Sequence, residues 1–491
     1  MNVASTMKVA KYVLLSLFFF LYSGKLQDVH AQLSHEIQSL IDNSRASSAF
    51  WAVQVRDESG TVLQNMNGDK LVRPASNLKL LTSGAVLDKL GPDYRFRTVL
   101  YGRGDQKDDT WVGDLIVKGS GDPSINGDFS NGNSLFLFEE WADLFIAKGI
   151  KRIQGDLIGF DGLFDDVPYP KGWEWDDLSY YYAPEISALS FNSNVVDLEV
   201  IANGSVGSTP RIQWSPFNTP YVDFVNEQMI TAPGTRFDES YRRVLGTNTI
   251  ILRSTLPQGY YETEPLTVTA PSYYFMDTFY RYLELRNIKV TGRIFVDSDY
   301  YSWSDDNLTP LHVNVSVPIY RMVERLNKES DNFYAEMLLK KLAENTYNVQ
   351  GTTELGLEIL KEYMEEMQFD THSVSLRDGS GMAPATLLNA SELNQYLVNV
   401  RKKDYFPYLY NSLAVGSVSG TLGHRFRNSS VRENFSGKTG FVSGVRALSG
   451  YLNAESGQQL AVTLITNNYT ERTAHVDFIH QRILEYLYYN Y

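Results

Sequence analysis

The pattern of apolar and polar positions in the first hundred residues predicts helix, strand and helix in turn. Apolar residues recur at helical spacing from Leu33 to Arg45 and again from about Ser76 to Leu90, where Gly91-Pro92 ends the run. Between these helices, the run Phe50 to Val55 followed by Asp57-Glu58-Ser59-Gly60 predicts a strand and a hairpin turn. This part of the chain therefore reads as α/β.

The middle of the chain, from about residue 97 to 310, has a different pattern. Short runs rich in Val, Ile and Tyr are broken by Gly, Asp, Asn and Pro, as in Asp114 to Val117 and Asn248 to Leu252. Short apolar runs between turn residues are typical of β-strands. We therefore predict that this region is mostly β.

Helical spacing returns near Pro318 and continues into the C-terminal part. The predicted helices are Ile319 to Leu326, Tyr334 to Leu342, Leu355 to Met367 and one from about Thr473, and the predicted strands are Val445 to Leu452 and Gln459 to Thr466. A chain of 491 residues exceeds the roughly 250–300 residues over which one core keeps growing. Because its two ends resemble each other, we expect one α/β domain built from residues 32–96 and 311–491, with a β-rich insertion at 97–310.

The first 31 residues have the features of a secretory signal peptide. Lys8 and Lys11 precede an apolar run from Tyr12 to Tyr22, and Val29-His30-Ala31 suits a cleavage site before Gln32. The apolar run is about half the ~20 residues that a bilayer span needs, which favours cleavage near Ala31 over a membrane anchor. We expect an exported protein with no stable membrane span after cleavage.

Composition excludes several classes of partner and chemistry. Removal of residues 1–31 leaves 41 basic and 57 acidic residues and a net charge of −16, which repels nucleic-acid phosphates, so no nucleic-acid partner is expected. The absence of cysteine excludes thiol catalysis and thiolate metal sites. His475 and His480, five positions apart, fit packing better than zinc binding, so neither a metal nor a cofactor is expected.

Ser76-Asn77-Leu78-Lys79 places a hydroxyl and an amine on one face at the start of a predicted helix. A serine becomes nucleophilic beside a base, and a lysine can be that base if burial or nearby positive charge lowers its pKa. Alone, the motif is weak, because a helix-capping serine followed by a solvated lysine is the commoner explanation.

Two further motifs strengthen this interpretation. Ser330-Asp331-Asn332 lies between two helical runs, where a polar turn can aim its side chains into a cleft. Lys438-Thr439-Gly440 precedes an alternating run, so it can lie on an edge strand, with Gly440 allowing a substrate to approach. Each tripeptide alone would be a helix cap or a strand end. The three in this order form the set S-x-x-K, S-D-N and K-T-G.

The set resembles that of the active-site serine penicillin-recognising enzymes. Their penicillin-binding/β-lactamase-like transpeptidase domain is an α/β (α+β) fold with an antiparallel sheet flanked by helices. The long separation of Ser76 from Ser330 is similar to the D-alanyl-D-alanine carboxypeptidase/endopeptidases, the class C low-molecular-mass penicillin-binding proteins. The other stretches that resemble this family are Leu71 to Leu81, Leu90 to Arg97, Lys118 to Pro123, Tyr182 to Pro184, Asp378 to Gly381 and Gly420 to Leu422.

The resemblance implies a serine DD-peptidase that cleaves D-alanyl-D-alanine bonds in peptidoglycan stem peptides, works in the periplasm and is acylated by β-lactams. Ser76 would be the nucleophile and Lys79 its general base. Ser330 would relay the proton to the leaving amine, Asn332 would orient the acyl group and the lysine, and Lys438 would polarise Ser330.

The same resemblance implies the substrate-binding groups. Thr439, with Lys438, would hold the terminal carboxylate of D-alanine beside Gly440, and the backbone N–H groups of Ser76 and Phe441 would form the oxyanion hole. Trp173 to Leu178 resembles the family's tryptophan-rich segment, in which Asp177 would meet the free amine of a diaminopimelate side chain. Packing plus a solvated loop explains that run about equally well.

Two other functions stay open at this point. A β-lactamase of this fold would also hydrolyse its acyl-enzyme quickly, but the E-x-x-L-N signature is absent and Glu392-Leu393-Asn394 is a shorter arrangement. Slow release of β-lactams is therefore expected. A non-catalytic peptidoglycan-binding protein would usually have lost Ser76, Lys79 or Lys438. The motifs do not separate carboxypeptidase from endopeptidase action.

Overall fold

The computed structural model describes residues 32–491, and the predicted signal peptide at 1–31 lies outside the described residues. The α-helices are α1 (32–42), α2 (Lys79–Lys89), α3 (Phe136–Ala147), α4 (Pro271–Leu285), α5 (Ile319–Lys328), α6 (Asn332–Tyr347), α7 (Thr353–Glu366), α8 (Ala390–Asn399), α9 (Phe406–Asn411) and α10 (Thr473–Asn490).

The strands are short in the middle of the chain and longer near its ends. They are β1 (Phe50–Arg56), β2 (Val62–Met66), β3 (Leu71–Val72), β4 (Arg97–Lys107), β5 (Thr110–Lys118), β6 (Arg152–Gln154), β7 (Leu157–Phe160), β8 (Val195–Ile201), β9 (Arg211–Ser215), β10 (Asp223–Asn226), β11 (Met229–Thr231), β12 (Tyr241–Arg243), β13 (Thr249–Leu252), β14 (Thr255–Pro257), β15 (Tyr261–Thr267), β16 (Lys289–Val290), β17 (Ile294–Asp297), β18 (Thr309–Val315), β19 (Leu388–Asn389), β20 (Ala414–Val415), β21 (Phe435–Val442), β22 (Val445–Asn453) and β23 (Gln459–Asn467).

One antiparallel sheet joins the two ends of the chain. Its strand order is β2-β1-β23-β22-β21-β20, and in it Val53 of β1 lies opposite Leu464 of β23. All neighbouring strands in this sheet run antiparallel. The predicted α/β fold with an antiparallel sheet flanked by helices is confirmed.

Helices cover both faces of this sheet. Apolar residues of α1 and α10, among them Ile37 and Ile483, pack against Val462 and Leu464 on one face. On the other face α8 contacts β1 and β23, and a second core joins α2 to α5, α6 and α7. The side chains from Lys79 to Leu87 are all buried there. This burial places the charged end of Lys79 in an environment that disfavours charge.

Residues 97–310 contain more helix than the sequence pattern indicated. Several small sheets form the region, the largest with β16-β6-β5-β4-β18 as its main path, but α3 and α4 pack against them. Aromatic residues such as Phe138 of α3 and Phe275 of α4 make that contact, at 4.9 Å between ring centroids. Phe and Tyr favour strands, which hid the helical spacing. The division of the chain at 96/97 and 310/311 stays a prediction, and β18 extends across the second boundary.

A buried ion pair joins α6 to the middle of the chain. Lys340 Nζ lies 2.5 Å from Asp165 Oδ1 and also donates to the Val167 carbonyl at 2.8 Å, and its side chain is 1% exposed. Removing one partner of a buried pair leaves an uncompensated charge, which costs far more than the pair itself contributes.

We expect Lys340→Met to lower the free energy of unfolding by about 3 kcal/mol, because Asp165 would stay buried without a cation. Urea denaturation of the mature chain measures this. The control is Lys361→Met, at an exposed position on α7, which should change stability by less than about 0.5 kcal/mol. Equal effects of the two substitutions would contradict the structural role of the pair.

Candidate active site

Ser76 lies in a tight turn that leads directly into α2. Residues Ala75–Leu78 form a short 3-10 helix, and α2 begins at Lys79. The α-helix predicted from about Ser76 therefore starts three residues later. Pro74 precedes the turn and Ala75 has a left-handed backbone with φ of 46°, so the chain cannot enter regular α geometry there. The turn brings Ser76 Oγ to 2.9 Å from Lys79 Nζ.

Three oxygen atoms surround the Lys79 amine. It donates to Ser76 Oγ at 2.9 Å, to Asn332 Oδ1 at 2.5 Å and to the Ser380 carbonyl at 2.8 Å. An ammonium group has three N–H donors and no acceptor, so every donor is used. The charged form of the lysine is therefore fully hydrogen-bonded although its side chain is buried.

Loss of one proton from Lys79 changes only one of these contacts. A neutral amine keeps two donors and gains one lone pair, while amide and carbonyl oxygens can only accept. Ser76 is the one partner whose O–H can reverse its role and donate to nitrogen. The lone pair of a neutral Lys79 can therefore accept a hydrogen bond from Ser76 Oγ and from neither of the other two partners.

Burial allows Lys79 to lose its proton at a lower pH than an exposed lysine. It lowers the pKa of Lys79 to about 8, against the opposing attraction of the negative charges on Asp378, Glu336 and Asp331. Near pH 8 about half of such amines are neutral.

Two buried carboxylates fix the loop that carries the Ser380 carbonyl. Glu336 of α6 accepts from the backbone N–H groups of Gly379 and Ser380 at 3.0 and 2.8 Å. Asp378 accepts from Met382 and Ala383 N–H groups and from three side chains, Trp173, Ser380 and Thr386. Burial is the main cause that raises the pKa of Glu336, to about 7.

Ser330-Asp331-Asn332 forms the connection between α5 and α6. Ser330 has a left-handed backbone with φ of 63°, Asp331 caps α6 by accepting from the Tyr334 N–H at 3.2 Å, and Asn332 begins the helix. The Asn332 amide is oriented by two neighbours: its oxygen faces Lys79 and its nitrogen donates to the Tyr182 carbonyl at 2.7 Å.

Lys438-Thr439-Gly440 lies on β21, beside Ser330. Lys438 Nζ donates to Ser330 Oγ and to the Thr439 carbonyl, each at 2.8 Å. Burial, and after it the positive charges of Lys79 and Arg446, holds the pKa of Lys438 well below its usual value. Thr439 Oγ1 donates to Thr421 Oγ1 at 2.7 Å.

The β21 strand packs tightly against the turn before Ser76. A Cβ atom at Gly440 would lie 2.8 Å from the Pro74 carbonyl, which leaves no room for a side chain. Asn77 is buried at this contact, and with its amide oriented to suit both neighbours it donates to the Lys438 carbonyl at 2.7 Å and accepts from Leu448 N–H at 3.2 Å. The two motifs are therefore locked to each other.

A cleft of about 880 Å³ opens over these residues. Of the predicted site residues, it is lined by Ser76, Asp177, Ser330, Asn332, Thr439 and Phe441. Lys79, Lys438 and Gly440 are buried beneath it. Asp177 accepts from Tyr182 OH at 3.0 Å, and burial, together with the negative charges of Asp176 and Glu174, raises its pKa although that hydrogen bond opposes the shift.

Several residues of the site lie outside the three motifs. The Ser380 carbonyl and Thr421 contact predicted site residues, Glu336 contacts the loop that contains Ser380, and Trp173 and Tyr182 reach the site from the middle of the chain. Of these five residues, only Glu336 lies outside the stretches that resemble the family. Close packing fixes the Ser380 loop, since a Cβ at Gly381 would lie 2.0 Å from the Ala75 carbonyl.

Other residues considered from the sequence lie elsewhere. Glu392 binds the Asp370 N–H and Asn394 binds β1 and β23, so this stretch belongs to the α8 packing. His480 is buried against Thr466 and Trp51. Within residues 32–491, no group of three or more His, Asp or Glu side chains could hold a metal ion, and no helix has the length and apolar character needed to cross a bilayer.

The chain is similar to known proteins over almost its whole described length. A sequence model of the D-Ala-D-Ala carboxypeptidase 3 (S13) family matches residues 33–483. A D-alanyl-D-alanine carboxypeptidase from Actinomadura sp. is 28% identical over 476 residues, which are 93% of this chain and 85% of that protein. The D-alanyl-D-alanine carboxypeptidase DacB of Haemophilus influenzae is 24% identical over 421 residues, 83% of each chain.

Solved structures share the fold. Penicillin binding protein 4 (dacB) from Haemophilus influenzae superposes with a TM-score of 0.80 at 22% identity, covering 92% of this chain and 99% of that one. A predatory peptidoglycan endopeptidase from Bdellovibrio bacteriovorus gives a TM-score of 0.50 at 15% identity, covering 89% and 92%.

We expect Glu336→Gln to lower the pKa of Lys79 below about 8, because the carboxylate attracts the ammonium charge and the amide does not. Titration of ¹³Cε-labelled lysine by NMR measures this, with the signal assigned by its absence in Lys79→Met. Glu344→Gln, at the far end of the same helix, is the control and should leave the Lys79 signal unchanged. An unchanged or higher pKa in Glu336→Gln would contradict the electrostatic coupling.

Proposed function

The chain belongs to the D-Ala-D-Ala carboxypeptidase 3 (S13) family and is a serine DD-peptidase, and on that basis we propose that Ser76 is its acylated nucleophile and Lys79 the general base. The observation that carries this proposal is the set of partners around Lys79. Among them only Ser76 can return a proton to the neutral amine.

Acylation would form an ester on Ser76 and release the leaving amine. Ser76 Oγ attacks the carbonyl carbon of the penultimate D-alanine, and its proton moves to Lys79 Nζ. Backbone N–H groups of Ser76 and Phe441 stabilise the oxyanion. The C–N bond then breaks, and the leaving amine receives a proton through Ser330. The product is an ester on Ser76 and a free amine.

Lys438 and Thr439 would hold the leaving side of the substrate. Lys438 donates to Ser330 Oγ at 2.8 Å, and this hydrogen bond polarises the hydroxyl that carries the proton. The Thr439 hydroxyl, paired with Thr421 at the cleft, can turn to donate to the terminal carboxylate of D-alanine. Asn332 links Lys79 to the acyl side of the cleft through its fixed amide.

Water would hydrolyse the ester and regenerate Ser76. We expect slow hydrolysis when the acyl group comes from a β-lactam, because Glu392-Leu393-Asn394 lies in the α8 packing and not at the ester. This favours a penicillin-sensitive peptidase over a β-lactamase. A purely binding protein would have no need for the Ser76–Lys79 contact.

The proposed substrate is a peptidoglycan stem peptide with a free amine on its third residue. Asp177 faces the cleft as a partly buried carboxylate, which suits an ammonium group at the end of a flexible side chain. The proposed location is the periplasm, after cleavage near Ala31. Release of D-alanine and splitting of cross-linked stems use the same acylation step, and the relatives include a carboxypeptidase by name and an endopeptidase by name.

We expect residues 32–491 to release D-alanine from muropeptides or to split cross-linked dimers, and Ser76→Ala to abolish both reactions because it removes the nucleophile. Mass spectrometry of the products measures this and tells which bond dominates. Ser59→Ala, in the exposed hairpin, is the matched control. Inactivity of both the unmodified chain and the variant would favour the binding protein.

We expect the rate constant of acylation to rise with pH and to reach half its maximum near pH 8, because the neutral form of Lys79 is the base. Below that pH the rate should fall about tenfold per unit. Stopped-flow measurement with a chromogenic β-lactam between pH 6 and 9 tests this. A flat profile over that range would be inconsistent with Lys79 as the base.

A further inference from the structure

The segment of residues 173–182 connects the cleft to both parts of the molecule. On its inner side Trp173 Nε1 donates to Asp378 at 3.1 Å, and the Tyr182 carbonyl accepts from Asn332 at 2.7 Å. Asp177 lies between these two contacts and faces the cleft. At its first residue the segment contacts the loop that contains Ser380, and at its last residue it contacts the Asn332 amide. Both of these groups bind Lys79.

Repulsion within the segment opposes a fixed position for Asp177. Glu174, Asp176 and Asp177 are three carboxylates within four residues, and the negative charges of Asp176 and Glu174 add to burial, the main cause, in raising the pKa of Asp177. The Asp177 side chain receives one hydrogen bond, from Tyr182 OH. A short 3-10 helix from Asp177 to Ser179 carries it, and so short a helix supplies little rigidity of its own.

Thr267 and Arg243, from two later strands, bind the backbone and side chain of this short helix. The Leu178 carbonyl accepts from Thr267 Oγ1 at 2.6 Å and from Arg243 Nη2 at 3.0 Å, and Ser179 Oγ accepts from the Arg243 N–H at 3.0 Å. Thr267 is the last residue of β15 and Arg243 the last of β12. The ends of β15 and β12 therefore both contact the two residues that follow Asp177.

Arg243 is buried and its guanidinium is almost fully used. It is 3% exposed and also donates to Thr267 Oγ1 at 3.2 Å, to Tyr169 OH at 2.9 Å and to the Thr247 carbonyl at 3.4 Å. Tyr169 in turn donates to Glu185 at 3.1 Å. A buried cation bound mainly to neutral oxygens is costly to maintain.

We propose that Arg243 and Thr267 are positioning residues that hold Asp177 in place for the substrate ammonium group, so that the β-rich middle of the chain sets the enzyme's selection of substrate. This inference rests on the proposed role of Asp177. The two residues act through the backbone of Leu178 and Ser179 and do not touch the substrate. Their effect should therefore appear in binding of the amine and not in the chemical step.

The experiment compares two substrates that differ only in the amine. One is the pentapeptide L-Ala-γ-D-Glu-diaminopimelate-D-Ala-D-Ala with its side-chain amine free, and the other has that amine acetylated. The measured quantity is the ratio of their kcat/KM values, together with kcat and KM for each.

The variants are Thr267→Val, which keeps the shape and removes the hydroxyl, and Arg243→Lys, which keeps the charge and removes the planar fork of donors. We expect Thr267→Val to lower the ratio about fivefold, through a higher KM for the free-amine peptide with kcat retained, because the hydrogen bonds of Thr267 Oγ1 to the Leu178 carbonyl and from Arg243 Nε are both lost. Arg243→Lys should act in the same direction and more strongly. Thr278→Val is the control, because Thr278 is equally buried in α4 and its hydroxyl has no partner among the described residues.

Asp177→Asn separates this inference from the function on which it rests. We expect that variant to lower the ratio about tenfold, since a charge-assisted contact is lost. In the double variant Thr267→Val/Asp177→Asn the first substitution should have no further effect on the ratio. If Asp177→Asn leaves the ratio unchanged, the role of Asp177 is wrong. If it lowers the ratio but Thr267→Val and Arg243→Lys do not, or if they reduce kcat for both peptides equally, the positioning role is wrong.

Discussion

The burial of the Lys79 amine among three oxygen acceptors is the interaction on which the rest of the site depends. The acceptors come from separate parts of the chain: the turn before α2, the start of α6 and the loop that contains Ser380. A buried ammonium without any one of them would lose a hydrogen bond that water can no longer replace. The packing of α2 therefore constrains the other two elements, and the pKa of about 8 is a property of the assembled site and not of the S-x-x-K motif.

Much of this arrangement could be predicted from the sequence, because motif order carries information that single motifs lack. The predicted adjacency of the S-x-x-K, S-D-N and K-T-G residues is what the structure contains, with Lys79 on Asn332 and Lys438 on Ser330. The sheet shared by both ends agrees with the strands predicted near each end, Phe50 to Val55, Val445 to Leu452 and Gln459 to Thr466. The roles of these residues in catalysis stay predictions.

The remainder could not be predicted for physical reasons. The resemblance marked the stretch that contains Ser380, but a sequence does not show which backbone carbonyl accepts from Lys79, and a buried carboxylate on α6 has the same spacing as a solvated one. The left-handed backbone of Ala75 and Ser330 is unfavourable for residues with a Cβ atom, and tertiary packing imposes it. Aromatic residues favour strands locally, whereas in α3 and α4 they lie on helices and pack against each other.

The contact of the Tyr182 carbonyl with Asn332 has a consequence for how such proteins can diverge. Tyr182 belongs to the predicted β-rich insertion of residues 97–310, yet its carbonyl accepts the hydrogen bond that orients the Asn332 amide. If evolution or design shortened this insertion past Tyr182, the Asn332 N–H group would lose its acceptor unless another group took its place. The segment of residues 173–182 is therefore expected to evolve together with the active-site residues that it contacts, under a stronger constraint than the parts of the insertion that lie far from the cleft.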